Sequence, residues 1–167
     1  MDPAQMREKL LALGAVPDGE HLQKRYVFDV IPKKPGKWLR LRTNGDLTTL
    51  TLKHIKNDGV GGTMEVEVVV DDFDKVLQII ESAGIKNSGY QENKRTDFRL
   101  GKAQISIDKW PLIPPYIEIE APTKTMVKNI AKKLGYDPKD IIGDNTVKVY
   151  KRYGIDLEDI ESLKFAE

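Results

Sequence analysis

The sequence predicts an antiparallel α+β fold, and three observations carry that expectation. Six or seven segments alternate apolar and polar residues at period two, the signature of strands with one buried face. Most of them are joined by short turns, which suit hairpins better than crossovers. Between them lie amphipathic helices with recognisable caps, but without the strict strand–helix–strand alternation of a doubly wound parallel sheet.

In order along the chain, Asp2 is a good N-cap and Pro3 suits the first helical position. Met6, Leu10, Leu11 and Leu13 fall near one face of the helix they open, and Gly14 stops it. Leu22 to Ile31 turns to strand, with Tyr26, Phe28 and Val30 at period two. Pro32, Pro35 and Gly36 make a turn. Lys37 to Thr43 alternates, with Leu39 and Leu41 opposite Trp38, Arg40 and Arg42. Asn44-Gly45-Asp46 is a hairpin signal, and Leu47 to Ile55 returns with Leu50 and Leu52 opposite Thr49, Thr51 and Lys53. Asn57 to Gly62 is a Gly-rich loop, read as a flexible hairpin connection. Met64 to Asp71 is a strand, then Asp71 or Asp72 caps a helix bearing Phe73, Val76, Leu77 and Ile80. Two strands, Tyr90 to Leu100 and Ala103 to Lys109, meet near Gly101. After Pro111, Pro114 and Pro115 comes a short strand from Tyr116, and Thr123 caps a helix with Met126, Val127, Ile130, Ala131 and Leu134. Short helices and a charged tail over 154–167 close a chain read as one domain.

Composition narrows the chemistry. The chain has 167 residues, 40% hydrophobic and 32% charged, enough for a packed core. Lys and Arg number 27 against 26 Asp and Glu, a net charge of +1, which argues against a coat for a nucleic-acid polymer. With no cysteine, thiol nucleophiles, disulfides and cysteine metal sites are excluded. His21 and His54 are the only imidazoles. No apolar run approaches the roughly 20 residues of a membrane span, and the polar N-terminal residues do not read as a secretory signal. The expectation is a cytoplasmic protein that works without a membrane.

Strand parity collects one set of residues. Opposite the aliphatic face stand Arg40, Arg42, Lys53, Glu65, Glu67, Arg95, Asp108, Glu118 and Glu120, drawn from six strands. A solvated sheet face explains this pattern, since antiparallel sheets commonly keep one side wet. Against it, the Arg-x-Arg and both Glu-x-Glu pairs place like charges on the same side of a strand, where they repel unless neutralised. A polyanion would neutralise the bases, and a hard cation such as Mg2+ or Mn2+ the carboxylates. A metal–polyphosphate complex does both, and a sheet closing on itself would make this face a charged lumen. No Walker, dinucleotide or nucleophile-elbow sequence is present. His54 has the opposite parity, while Trp38 shares the side of Arg40.

These residues resemble the CYTH superfamily, the triphosphate tunnel metalloenzymes. The resemblance rests on an ordered succession: Leu22-Gln23-Lys24-Arg25-Tyr26-Val27-Phe28-Asp29, Trp38-Leu39-Arg40-Leu41-Arg42, Thr49-Leu50-Thr51-Leu52-Lys53, Glu65-Val66-Glu67, Lys94-Arg95, Ile107-Asp108 and Tyr116-Ile117-Glu118-Ile119-Glu120. The stretch from Asp108 to Tyr116 is most similar to bacterial class IV adenylate cyclase-like proteins. The resemblance implies an eight-stranded antiparallel β-barrel around a tunnel, with flanking helices. It implies phosphate-binding roles for Arg40, Arg42, Lys53 and Arg95, and metal roles for Glu65, Glu67, Asp108, Glu118 and Glu120 toward Mg2+ or Mn2+. The implied ligand is ATP or another organic or inorganic triphosphate, and the implied reaction is cyclisation to cyclic AMP or hydrolysis. The family's first-strand Glu-x-Glu-x-Lys has no counterpart here, and Asn93 stands where many relatives carry a basic residue. The expectation is therefore a barrel left open or covered by a second copy in a homodimer, with weakened catalysis or with polyphosphate binding alone.

Overall fold

The computed structural model describes residues 1–56 and 63–166. The Gly-rich loop expected over 57–62 lies outside the described residues. The elements are α1 (Pro3–Ala12), β1 (Val16–Lys34), β2 (Lys37–Thr43), β3 (Thr48–Ile55), β4 (Thr63–Val70), α2 (Phe73–Ser82), β5 (Asn87–Leu100), β6 (Ala103–Lys109), β7 (Tyr116–Glu120), α3 (Lys124–Leu134), α4 (Thr146–Arg152) and a two-residue β8 (Ser162–Leu163). The fold is α+β. One sheet has the strand order β4-β3-β2-β1-β5-β6-β7, and β8 adds to β5. The printed registers of β1 with β2, β2 with β3, β3 with β4, β5 with β6 and β6 with β7 are all antiparallel. Among the described residues, β4 pairs only with β3 and β7 only with β6. Internal packing divides the chain into two compact units, residues 22–92 with 158–167, and residues 1–21 with 93–157.

In the unit built on residues 22–92, turn chemistry sets the register. Asn44 Oδ1 accepts from the amides of Asp46 and Leu47, and Gly45 adopts a left-handed φ of 98°. Gly36 closes the preceding hairpin with φ 68°; its carbonyl accepts from Ile55 N at 2.7 Å, and a Cβ there would lie 2.8 Å from the Ile55 carbonyl oxygen. With the turns set, Leu39 faces Leu52 and Leu52 faces Val66, while Leu41 faces Leu50 and Leu50 faces Val68. Phe28, Leu41 and Ile80 form the buried centre of this side, with Phe73, Val76 and Leu77 of α2 packed against it. Asp72 is the residue that caps α2, accepting from Lys75 N. The helices do not cover the whole aliphatic face, however. Val66 and Val68 stay 60% and 54% exposed, because β4 is an edge strand.

In the other unit, Phe98, Ala103, Ile105 and Ile107 of β5 and β6 pack with Met6 and Leu10 of α1 and Ile130 and Leu134 of α3. Ile117 and Ile119 of β7 join them, as their pairing with Ile107 and Ile105 requires. Asp2 caps α1, Thr123 caps α3, and Gly135 ends α3 in the left-handed region. Tyr150 of α4 is fully buried and donates to the Pro111 carbonyl oxygen.

Three stretches differ from the sequence reading, the first being Pro32, which lies within β1 rather than in the turn with Pro35 and Gly36. β1 begins at Val16 rather than near Leu22, because Val16 to Glu20 is exposed and carries no alternation to read. Over 154–167, Leu157 and Leu163 are buried, and β8 pairs in parallel with Tyr90 and Gln91, so this stretch is more than a solvated tail. No helix among the described residues is long and apolar enough to cross a membrane.

Candidate functional site: the charged side of the sheet

In residues 22–92, β2 and β3 align Arg40 with Thr51, Arg42 with Thr49 and Trp38 with Lys53, and β4 brings Glu67 opposite Thr51 and Glu65 opposite Lys53. Arg40, Arg42, Lys53, Glu65 and Glu67 therefore share one side of the sheet, and Trp38 shares it with them. His54 pairs with Met64 and points to the other side. Lys53 Nζ lies 2.7 Å from Glu65 Oε1. Thr51 Oγ1 donates to Glu67 Oε2 at 2.6 Å, and Arg40 Nη2 lies 3.7 Å from that oxygen. The Thr51 hydroxyl, assisted by the charges of Arg42 and Arg40, holds the Glu67 carboxyl below the usual carboxylate range despite some desolvation.

In residues 93–157, Arg95 sits opposite Asp108, and Asp97 opposite Ser106, which in turn faces Glu118. Arg95 binds Asp108 through both ends of its fork, Nε to Oδ1 at 2.9 Å and Nη2 to Oδ2 at 2.7 Å, and Nη2 also donates to Glu118 Oε2. Asn93 Nδ2 donates to Asp108 Oδ1 at 2.9 Å, with both residues fully buried. Burial opposes the Arg95 charge, but Asp108 and Glu118 outweigh it and its pKa is raised. Tyr116 on β7 is raised too, first by burial and then by the charges of Asp108 and Glu118, so its phenol stays protonated. Glu120 lies farther along β7, opposite Gln104, and is exposed.

Each predicted residue thus stands on the side that parity assigned. Parity set Thr49 and Thr51 beside Lys53 without marking them as site residues, and it did not collect Gln23 and Arg25 of the same unit or Asn93 and Ser106 of the other; all six are buried. Thr, Ser, Asn and Gln carry no charge to mark them.

The like-charge repulsion inferred along single strands is answered in large part across strands. Lys53 meets Glu65, Arg40 meets Glu67, and Arg95 meets Asp108 and Glu118. Among the described residues, no group of three or more Asp, Glu or His side chains is gathered as a metal ion would need. The carboxylates as placed do not fit a metal cage.

In each unit the strands carry helices on one side and charged, partly buried residues on the other, an antiparallel α+β class of fold. The sequence matches the CYTH domain over residues 5–143, and the chain belongs to that family. CYTH proteins are metal-dependent and bind triphosphates. Solved structures share the fold. The PH1012 protein of Pyrococcus horikoshii OT3 superposes with a TM-score of 0.75 at 20% identity, covering 89% of this chain and 93% of that one. A candidate adenylate cyclase from Vibrio parahaemolyticus gives 0.70 at 13% identity, covering 90% and 92%. HpAC1 from Hippeastrum gives 0.60 at 16%, covering 96% and 95%. At such identities the likeness carries the fold. No curated protein matches the sequence significantly.

Proposed function

We propose that this protein binds a small-molecule triphosphate on its charged strand face and processes it, either as a class IV adenylate cyclase-like enzyme or as a triphosphate hydrolase. The observation that carries this reading is burial. A wet sheet face would expose its polar residues, yet Thr51 and Asp108 have no accessible surface and Arg25 only 8%. Buried charge is costly without a purpose that uses it.

Arg40 and Arg42, two residues apart on one strand, offer planar forks to successive phosphate oxygens, and Lys53 adds a point charge. In the cyclase version, the ribose 3′-hydroxyl attacks the α-phosphorus of ATP and pyrophosphate leaves. In the hydrolase version, water attacks a terminal phosphorus, the bridging P–O bond breaks, and orthophosphate and the remaining diphosphate leave. Mg2+ or Mn2+ would arrive on the triphosphate's own oxygens, which supply ligands that the described carboxylates do not gather. HpAC1, of the same fold, has a dominant triphosphatase activity, which supports including the hydrolase version.

Incubation with ATP and with tripolyphosphate, each with Mg2+ or Mn2+, followed by chromatography, decides the reaction. Cyclic AMP with pyrophosphate marks the cyclase, and phosphate release the hydrolase. A second reading, binding without turnover, is favoured because no group of three or more Asp, Glu or His side chains is gathered among the described residues; it predicts tripolyphosphate binding with no product. Absence of both binding and product overturns the functional reading.

A further inference from the structure

We infer that Thr51 is a positioning residue of the charged face: its hydroxyl stands between Arg40 and Glu67, holds the carboxylate, and keeps the guanidinium from closing on it. The inference rests on the triphosphate reading above and adds to that site a residue that acts through its neighbours.

Register builds the arrangement. Arg40 on β2, Thr51 on β3 and Glu67 on β4 lie in one cross-strand row on the charged side, with Thr51 in the middle. Thr51 has no accessible surface. A hydroxyl has one proton to give and lone pairs to receive. Thr51 Oγ1 donates to Glu67 Oε2 at 2.6 Å, a short bond of the charge-assisted kind, and accepts from Arg40 Nη2 at 3.5 Å. Arg40 Nη2 stands 3.7 Å from that same carboxylate oxygen, beyond hydrogen-bond length.

Two other pairs show what happens with no hydroxyl between. Lys53 and Glu65 are direct cross-strand partners and meet at 2.7 Å. Arg95 and Asp108 are direct partners too, joined by two bonds of 2.9 and 2.7 Å. A carboxylate bound in that way occupies the planar fork that a phosphate group would take. Thr51 therefore sets how strongly Glu67 competes with an anion for Arg40. Without the hydroxyl, Glu67 Oε2 loses its donor, and Arg40 Nη2 is within reach to replace it.

The test is calorimetric titration of the full chain with tripolyphosphate, with and without Mg2+, in the wild type and in Glu67→Gln. Thr51→Val keeps the shape and loses the hydroxyl. It is expected to weaken tripolyphosphate roughly tenfold in the wild-type background, the scale of one hydrogen bond to a charged group. Thr51→Ser, which keeps the hydroxyl, should bind as the wild type does. In Glu67→Gln no carboxylate competes, so Thr51→Val should change affinity little; the two substitutions are coupled. A purely structural role would lower affinity equally in both backgrounds, and that result overturns the inference. So does unchanged or tighter binding in folded Thr51→Val, or weak binding in Thr51→Ser. Circular dichroism checks folding; if Thr51→Val is unfolded, Thr51→Ala carries the test in the same two backgrounds. Wild-type affinity in the Thr51 variant, alongside lost affinity in Arg40→Ala, removes Thr51 from the site while leaving the triphosphate reading intact. If the wild type binds tripolyphosphate neither with Mg2+ nor without it, that reading fails and this one with it.

Discussion

The charged side of the sheet is built in two contrasting ways. On β1 to β4, Arg25, Arg40, Arg42 and Lys53 share a side with Asp29, Glu65 and Glu67, and the ion pairs reach into solvent: Lys53 lies 2.7 Å from Glu65 and Arg40 3.7 Å from Glu67, with both glutamate side chains 42% exposed. On β5 to β7, Arg95 and an outlying Arg99 face Asp97, Asp108, Glu118 and Glu120. There the contacts are tight, with both Asp108 oxygens taken by Arg95 and one shared with Asn93. The acidic half satisfies much of its charge from within. The basic half carries most of its cations on β1 to β3. Our proposal gives internal cohesion to the acidic half and anion binding to the basic half, and mutations can separate the two.

The largest effect is expected from Asp108→Ala. It would leave Arg95, with only 19% of its side chain exposed, facing the loss of its bidentate partner. Removing one member of a buried ion pair costs about 3–5 kcal/mol. For a chain of this size, thermal denaturation should show a fall in Tm of roughly 10 °C. A variant that melts with the wild type would mean the acidic half is no more cohesive than the basic one.

Arg40→Ala and Arg42→Ala should do the reverse, sparing stability and losing binding. At about 100 times its dissociation constant, a ligand specific for the folded state adds about 2.7 kcal/mol. Each substitution should abolish most of the thermal shift produced by tripolyphosphate. Equal shifts in the wild type and the double variant would remove the basic half from the site.

This contrast was only partly legible in the sequence. Parity sorted the charged residues correctly because the Asn44–Leu47 turn and the short β2–β3 hairpin leave little freedom in register, and a one-residue slip would bury Arg40 and expose Leu41. The same logic placed Trp38 on the side of Arg40 and sent His54 away, and the structure sets Trp38 opposite Lys53. It was blind to pairing. Glu65-x-Glu67 reads as two repelling carboxylates, and the cations that meet them stand on other strands, over ten positions earlier. Arg25 has the parity opposite to Tyr26 and Phe28, so the signal was in the sequence, but its place in a Lys-Arg doublet kept it from being collected with the charged set. Val66 and Val68 alternate onto the aliphatic side and yet lie exposed, because alternation reports a side of the sheet but not whether anything covers it. The buried amide of Asn93 marked a departure from a familiar pattern, not the support it gives to Asp108.

Lys53→Ala should cost little. Its partner Glu65 keeps 42% of its side chain in contact with solvent, and exposed pairs contribute about 0–1 kcal/mol. Denaturant unfolding of Lys53→Ala and Arg95→Ala side by side sharpens the comparison, with the second expected to lose several times more. Similar losses would erase the distinction between exposed and buried pairs.

The smallest effect concerns pH and Glu67. Its carboxyl is held below the usual range, first by the Thr51 hydroxyl and then by Arg42 and Arg40. A carboxyl depressed in the folded state contributes stability that is present above its unfolded value, about 4.3, and is lost as pH falls through the lower folded value. Glu67→Gln should therefore be slightly less stable than the wild type at pH 7, and the gap should close in acid, once the wild-type carboxyl protonates. Half exposure keeps the gap small. The same substitution removes one of two negative charges facing Arg40 and Arg42, so tripolyphosphate should bind Glu67→Gln more tightly at pH 7, an opposite sign from its effect on stability. Stability curves taken between pH 3 and pH 7, with titrations at pH 7, read both signs. A variant that loses stability and anion affinity together would show that Glu67 organises the arginines for binding rather than competing with the ligand for them.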